Sequence, residues 1–305
     1  MRQTILGSGG VIGDALAEVL AGYDTTVRLV SRHPKALNGD EELISADLLD
    51  AVQTRDAVKD SDIVYLTVGL PYSTKVWQKE WTVIIENVIN ACQEQQAKLV
   101  FFDNVYMYGL VEGKMREDTP YNPRSEKGKV REKVTTMLET AMKEGHIEAL
   151  IARSADFYGK DAAHSFAMPM IFDKYKAGKT ASWLLNKTLP HSMTYIPDAA
   201  KALALLGNDT SCYNQTWHLP TSSPALTGKM FMDEVAKAYG VKPKQSVISA
   251  FMMRLAGLFV PSIKETKEMD YQFTYAYILD SSKFEKKFFQ ATPYKEAIAE
   301  IVKQG

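Results

Sequence analysis

A chain of 305 residues, 46% hydrophobic and 24% charged, exceeds the usual single core, so one large α/β domain with a smaller appended lobe is the default. Its 36 basic and 37 acidic residues leave a formal net charge of -1, which removes the electrostatic case for nucleic acid or an anionic membrane as a partner. Only Cys92 and Cys212 occur, with neither CxxC nor metal-type histidine spacing, and a reduced cytoplasm is the simplest compartment.

In chain order, Thr4–Leu6 is a short apolar run that reads as a first strand, and Val11–Leu20 follows as a helix. No signal peptide fits ahead of them without destroying the loop between them. Thr26–Val30 is a second strand, Leu43–Ala46 a weaker third and Ile63–Val68 a fourth. Trp77, Trp81, Ile84, Ile85, Val88 and Cys92 recur at helical spacing, which predicts an amphipathic helix over Val76–Gln95, with Cys92 a buried hydrophobe on it. Lys98–Phe102 is a fifth strand, Glu126–Lys143 a long helix and Glu148–Ala152 a sixth strand. The alternation implies a parallel sheet with helices on both faces, a doubly wound nucleotide-binding fold of the Rossmann kind.

Beyond residue 160 the alternation decays. Helices are expected at Phe166–Lys176, Asp198–Leu206, Thr227–Tyr239 and Pro293–Lys303, between Pro- and Gly-marked loops. Residues 1–160 therefore read as the cofactor domain, and residues 161–305 as a smaller mixed substrate lobe partly interleaved with the sheet. The most apolar later stretch, Ala250–Val260, is half a membrane span and contains Arg254, so no membrane crossing is expected.

Between the first strand and helix lie Gly7, Ser8, Gly9, Gly10, Val11, Ile12 and Gly13. A pyrophosphate needs close backbone approach and free amides at a helix N-terminus, and side chains at the glycine positions would block both. The spacing is GxxGxxG, through Gly7, Gly10 and Gly13. A turn that merely precedes a helix is the plainer alternative, but the position in the first βα turn favours a dinucleotide. Cofactor choice is written at the end of the second strand. There, Ser31-Arg32-His33-Pro34-Lys35 carries no carboxylate for a ribose 2′-hydroxyl, and it offers a guanidinium whose fork suits a 2′-phosphate. NADP is therefore expected, with NAD as the alternative; solvated turn cations are the plainer account of Arg32 and Lys35.

These features resemble the extended and atypical branches of the short-chain dehydrogenase/reductase superfamily, the NAD-dependent epimerase/dehydratase proteins. The likeness covers most of the chain. Besides the glycine loop it includes Asp47 and Leu48 after the third strand, where relatives contact adenine, and Thr67-Val68-Gly69 after the fourth. It continues through Met107-Tyr108-Gly109, which is similar to the family's VYG, Arg153 to Gly159, and Tyr195-Ile196-Pro197-Asp198. The resemblance implies a small-molecule substrate, a sugar nucleotide or a small ketone. It also implies a homodimer through the helices Val76–Gln95 and Glu126–Lys143.

In relatives a Ser or Thr orients the substrate carbonyl, a Tyr moves the proton, and a Lys one turn later holds the nicotinamide ribose. Here the first position carries Asn104, and the YxxxK position carries Lys127-Gly128-Lys129-Val130-Arg131. The functional reading makes Asn104 the carbonyl ligand and Lys127 the proton donor. Burial and Arg131 would both disfavour the ammonium of Lys127. Arg131 is then expected on the ribose or a cofactor phosphate, with Lys127 also near the cofactor. The alternative is that Lys127 and Arg131 are solvated and the domain is a cofactor-sensing module without turnover. Tyr108, or Tyr106, at the end of the fifth strand could replace the missing tyrosine. Tyr121, His191 and His218 are weaker candidates, and the pairs Met168/Met170 and Met252/Met253 read as core filling. No metal-ligand cluster is expected.

Overall fold

The computed structural model describes residues 1–162, 165–257 and 261–305, and at positions 261 and 262 the backbone only. In chain order its elements are β1 (Arg2–Leu6), α1 (Val11–Leu20), β2 (Thr26–Ser31), β3 (Glu42–Ser45), α2 (Ala51–Val58), β4 (Ile63–Leu66), α3 (Thr74–Gln95), β5 (Lys98–Asp103), β6 (Lys114–Met115) and α4 (Glu126–Lys143). There follow β7 (Ala149–Arg153), β8 (Asp156–Tyr158), α5 (Asp173–Lys176), β9 (Ala181–Leu184), β10 (Met193–Tyr195), α6 (Ile196–Asn208), β11 (Gln215–His218), α7 (Gly228–Ala238), β12 (Gln245–Ile248), α8 (Ala250–Gly257) and β13 (Ile278–Leu279). A helix over Tyr294–Gln304 closes the chain.

The chain divides into two compact units, neither continuous. The first comprises Met1–Met107, Glu126–Ser154 and Ala199–Leu219; the second comprises Tyr108–Ser125, Ala155–Asp198 and Pro220–Gly305. Residues 108–125, read from the sequence as part of a domain over 1–160, fall in the second unit, and residues 199–219, read as lobe, fall in the first.

The first unit is built on a seven-stranded, wholly parallel sheet in the order β11-β7-β5-β4-β1-β2-β3. Strand order reverses at β1, so the C-terminal ends of β1 and β4 border the crevice where such sheets bind ligands. The apolar faces of β4, β5 and β7 (Val64, Leu66, Leu99, Phe101, Ala149, Ile151) pack against Trp81, Ile85 and Val88 of α3 and Val134 and Leu138 of α4. This is the burial that the helical spacing of the apolar residues of α3 anticipates. Cys92 lies in the same core, where burial pushes its thiol up and makes it an inert apolar residue.

Several boundaries differ from the sequence reading. Helix α2 is absent from that reading because its apolar face is short, with only Thr54, Ala57 and Val58 buried. The segment Phe166–Lys176 is not one regular helix: Met168–Phe172 winds as a π-helix before α5. The seventh strand, β11, comes from the later part of the chain and pairs with β7.

The second unit carries three two-stranded parallel pairs, β8 with β10, β9 with β12 and β6 with β13. Its core gathers Phe172, Tyr175, Trp183, Met193, Phe231, Met232, Val235 and Ile298. Within Ala250–Val260, α8 ends at Gly257 and leaves Phe251 74% exposed, while residues 258–260 lie outside the described ones. Among the described residues no helix is long and apolar enough to cross a membrane.

Candidate cofactor and active site

The glycine loop follows β1 and leads directly into α1. Gly7 donates its amide to Val30 O at 2.9 Å and Ser8 donates to the same oxygen at 3.2 Å, so the loop is anchored on β2. Gly7 has φ +115 and Gly9 φ +85, both in the region that favours glycine. A Cβ on Gly7 would lie 2.6 Å from Val68 N, and one on Gly13 would lie 2.7 Å from Gly7 O and 3.0 Å from Thr67 Oγ1. Two glycines are therefore dictated by contact between the loop, α1 and the end of β4. Gly10 caps α1 without any side-chain bond, so the first turn of the helix presents amides to an anion. The Ser8 hydroxyl is buried and has no partner among the described residues. A cradle that side chains would fill, an uncapped helix start and an orphaned hydroxyl fit the diphosphate of a dinucleotide.

The other cofactor-side residues lie on neighbouring strand ends of the same sheet. Thr67 extends β4 by donating its amide to Leu6 O at 2.9 Å, and Val68 packs on the core beneath Gly7. Gly69 has open space where a Cβ would be. Asp47 turns back on itself, accepting from Leu49 N at 3.0 Å, while Leu48 is buried. At the end of β2, Ser31 is half-buried and Arg32 exposed, and Arg32 forms no ion pair among the described residues. The nearby carboxylates are committed elsewhere. Glu42 binds Arg2 at 3.0 Å and Arg28 at 2.9 Å, which holds its carboxyl below the usual range. Glu41 accepts the amides of Asn38 and Gly39 at 2.8 and 3.0 Å.

The catalytic candidates of the first unit are organised by a residue the sequence reading left without a role, Asp103. Its Oδ1 accepts from Asn104 N at 2.7 Å, from Arg131 Nε at 2.8 Å and from Arg131 Nη2, and its Oδ2 accepts from Thr135 Oγ1 at 3.2 Å. Arg153 Nε stands 3.8 Å from Oδ2. Asp103, Arg131 and Arg153 are all buried. The Arg131 guanidinium also lies 4.2 Å from the Trp81 ring centre. Arg131, expected on a ribose or phosphate, is thus turned inward to bind α4 to the end of β5. A carboxylate closing the apolar run over residues 99–102 was the signal for Asp103.

Lys127 lies one turn earlier on α4 and is 0% exposed. Its Nζ donates to Thr74 Oγ1 at 3.0 Å and stands 4.5 Å over the Tyr72 ring. Thr74, the first residue of α3, carried no sequence signal. Asn104 is half-buried, and its Oδ1 accepts from Tyr106 N at 2.9 Å, fixing the turn after β5. The Tyr106 ring stacks on Trp77 at 6.1 Å. Tyr108 belongs to the second unit, where it is buried with its ring 5.9 Å from Tyr121.

His191 is likewise in the second unit. It is buried, with Nε2 2.8 Å from Asp156 Oδ2 and its ring stacked on Phe273 and Tyr277 at 4.8 and 4.5 Å. Burial and the charge of Asp156 push the Tyr277 phenol up. His218 is buried at the end of β11. Met168 and Met170 pack on the second core, as expected of core filling, whereas Met252 is exposed. No group of three metal-ligating side chains occurs among the described residues.

A doubly wound parallel sheet with a glycine loop at its switch point defines a dinucleotide-binding protein. The model of the NAD dependent epimerase/dehydratase family matches residues 4–215, and the chain belongs to that family. No curated protein sequence matches it. Among solved structures, a UDP-glucose 4-epimerase of Thermus thermophilus in complex with NAD has a TM-score of 0.80 at 16% identity, covering 99% of this chain and 98% of that one. A UDP-N-acetylglucosamine 4-epimerase of Bacillus cereus has 0.79 at 17%, covering 100% and 96%. A dTDP-glucose 4,6-dehydratase of Streptomyces venezuelae with NAD has 0.81 at 14%, covering 99% and 96%. At these identities the likeness is one of fold.

Proposed function

We propose that the protein is an NADP-dependent oxidoreductase or epimerase/dehydratase-like enzyme acting on a carbonyl or secondary alcohol, with Lys127 in the place of the family's tyrosine. The observation that carries this is the seat of Lys127, buried at the head of α4 against Thr74 and Tyr72. Burying an ammonium costs several kcal/mol, so an idle lysine would have been left in solvent. A bound nicotinamide supplies or accepts a hydride. The amides at the start of α1, which has no side-chain cap, would hold its diphosphate, and the unpartnered Ser8 hydroxyl would add a donor. Asn104, whose Oδ1 is spent on Tyr106, keeps its Nδ2 to orient the substrate oxygen. The Lys127 ammonium gives that oxygen a proton as negative charge develops, and takes one in the reverse direction. Arg131 acts through Asp103 as a positioning residue.

NADP is assigned here on Arg32, free of carboxylate partners, although the neighbours named above were solved with NAD. The substrate class follows that of the solved neighbours named above, a nucleoside-diphosphate sugar, with a small ketone as the other choice. A homodimer is part of the same reading: an open groove of about 570 Å³ runs along α3 and α4, lined by Ile89, Asn90, Lys133, Met137 and Thr140. Thr136, exposed in that groove, is a safe probe. Thr136→Arg should turn a dimer into a monomer by sedimentation velocity, and a wild type that sediments as a monomer sinks this part. A cytoplasmic location completes the reading, supported by two buried free cysteines.

Lys127→Met tests the central claim. NADPH oxidation with a panel of nucleoside-diphospho-ketosugars and small ketones should fall by about 10²–10⁴-fold, the usual worth of a positioned proton donor. Fluorescence titration should show NADPH binding little changed. Unaltered turnover removes Lys127 from the mechanism. One observation favours a second reading, a cofactor-sensing module: the YxxxK position carries Lys127 and Arg131 in place of the tyrosine and lysine. NADPH binding with no oxidation by any member of the panel would establish it.

A further inference from the structure

We infer that Ser45 sets the NADP preference of the site by holding the backbone of Arg32, a positioning role that rests on the reading of Arg32 given above. Strands β2 and β3 pair in register up to Ser31 and Ser45, and Ala46 N extends the ladder to Ser31 O at 3.0 Å. The backbone pairing stops there. One residue further, the Ser45 hydroxyl donates to Arg32 O at 2.9 Å, so a side chain replaces the next rung. Arg32 is thereby fixed at the rim of the sheet, beside the glycine loop that Val30 O anchors.

The charges around it are segregated in the same way. Glu42, which precedes β3's other residues, is clamped by Arg2 and Arg28, and Glu41 is turned onto Asn38 and Gly39. Both glutamates of this segment are thus engaged by other groups than Arg32. Binding a phosphate costs an arginine side chain part of its rotamer freedom, and a fixed backbone limits the further entropy cost. An alanine at position 45 leaves Arg32 present but its carbonyl untethered. The selectivity, rather than the affinity for both cofactors, is what the hydroxyl controls.

The test is a fluorescence titration of the full-length protein with NADPH and NADH for the wild type, Ser45→Ala, Ser45→Thr, Arg32→Ala and the double variant. Ser45→Ala should reduce the NADPH-to-NADH preference by about threefold to tenfold, the worth of one hydrogen bond, and leave NADH affinity unchanged. Ser45→Thr, which keeps the hydroxyl, should restore the preference. In the Arg32→Ala background the serine change should add nothing. Wild-type selectivity in Ser45→Ala, equal weakening of both cofactors, or additive effects in the double variant would each overturn the role of Ser45. A wild type without preference, together with a silent Arg32→Ala, overturns the NADP reading itself and this inference with it.

Discussion

Replacing Asp103 with alanine should destabilise the first unit by about 3–5 kcal/mol, the range for breaking a buried ion pair from one side. The arithmetic is one of orphaned charge. Asp103 is the acceptor for two bonds from Arg131, one from Thr135 and one from the Asn104 amide, with Arg153 Nε 3.8 Å away. Without the carboxylate, two buried guanidiniums face each other's charge, and Glu139, 3.9 Å from Arg153, is half-exposed and weakly placed to compensate. Melting should fall by roughly 6–20 °C. Asp103→Asn keeps the shape and an acceptor oxygen, and should cost less. Asp103→Ala/Arg131→Met removes one of the stranded cations and should recover part of the loss. Calorimetry on the three variants decides: a double variant no more stable than Asp103→Ala would show that charge is not what the site balances.

Gly7→Ala should weaken dinucleotide binding by about a hundredfold, whereas Gly9→Ala should weaken it much less. Both glycines have positive φ and both variants carry backbone strain of about 1–3 kcal/mol. They differ in what the new Cβ meets. At Gly7 it collides with backbone atoms Val68 N at 2.6 Å and Val68 Cα at 2.7 Å, and these cannot rotate away. At Gly9 nothing lies within 4 Å. The loop of Gly7→Ala must therefore move away from β4, carrying its amides with it, and a hundredfold loss corresponds to about 2.8 kcal/mol. NADPH titration and denaturant melts on both variants separate collision from strain. Equal affinities for the two would mean that close approach to β4 does not shape the cofactor seat.

Much of the first unit was legible in the residues alone, for local reasons. A GxxGxxG loop between a short apolar run and an amphipathic segment specifies a strand, a turn and α1 within twenty residues. The 3.6-residue recurrence of Trp77, Trp81, Ile84, Ile85, Val88 and Cys92 specifies α3 and its buried face, and the helix Glu126–Lys143 has the same bounds in the structure as in the sequence. The short strands of the second unit were not legible. Pairs such as β8 with β10 or β9 with β12 contain three or four residues and join segments tens of positions apart, so they have neither the length for a period nor a turn to announce them.

The site divides along the same line. By itself the sequence determined where the glycine loop sits, between the first strand and α1, because that depends on glycines close in the chain, and it determined that Lys127 and Arg131 lie one turn apart on α4. Only the tertiary structure decided what those side chains do. The Lys127 ammonium meets Thr74 and Tyr72, more than fifty positions earlier, and Arg131 meets Asp103, 28 positions away. Spacing on a helix settles which residues share a neighbourhood. What Arg131 meets is settled by the buried carboxylate at the end of β5, whose desolvated charge takes the nearest guanidinium.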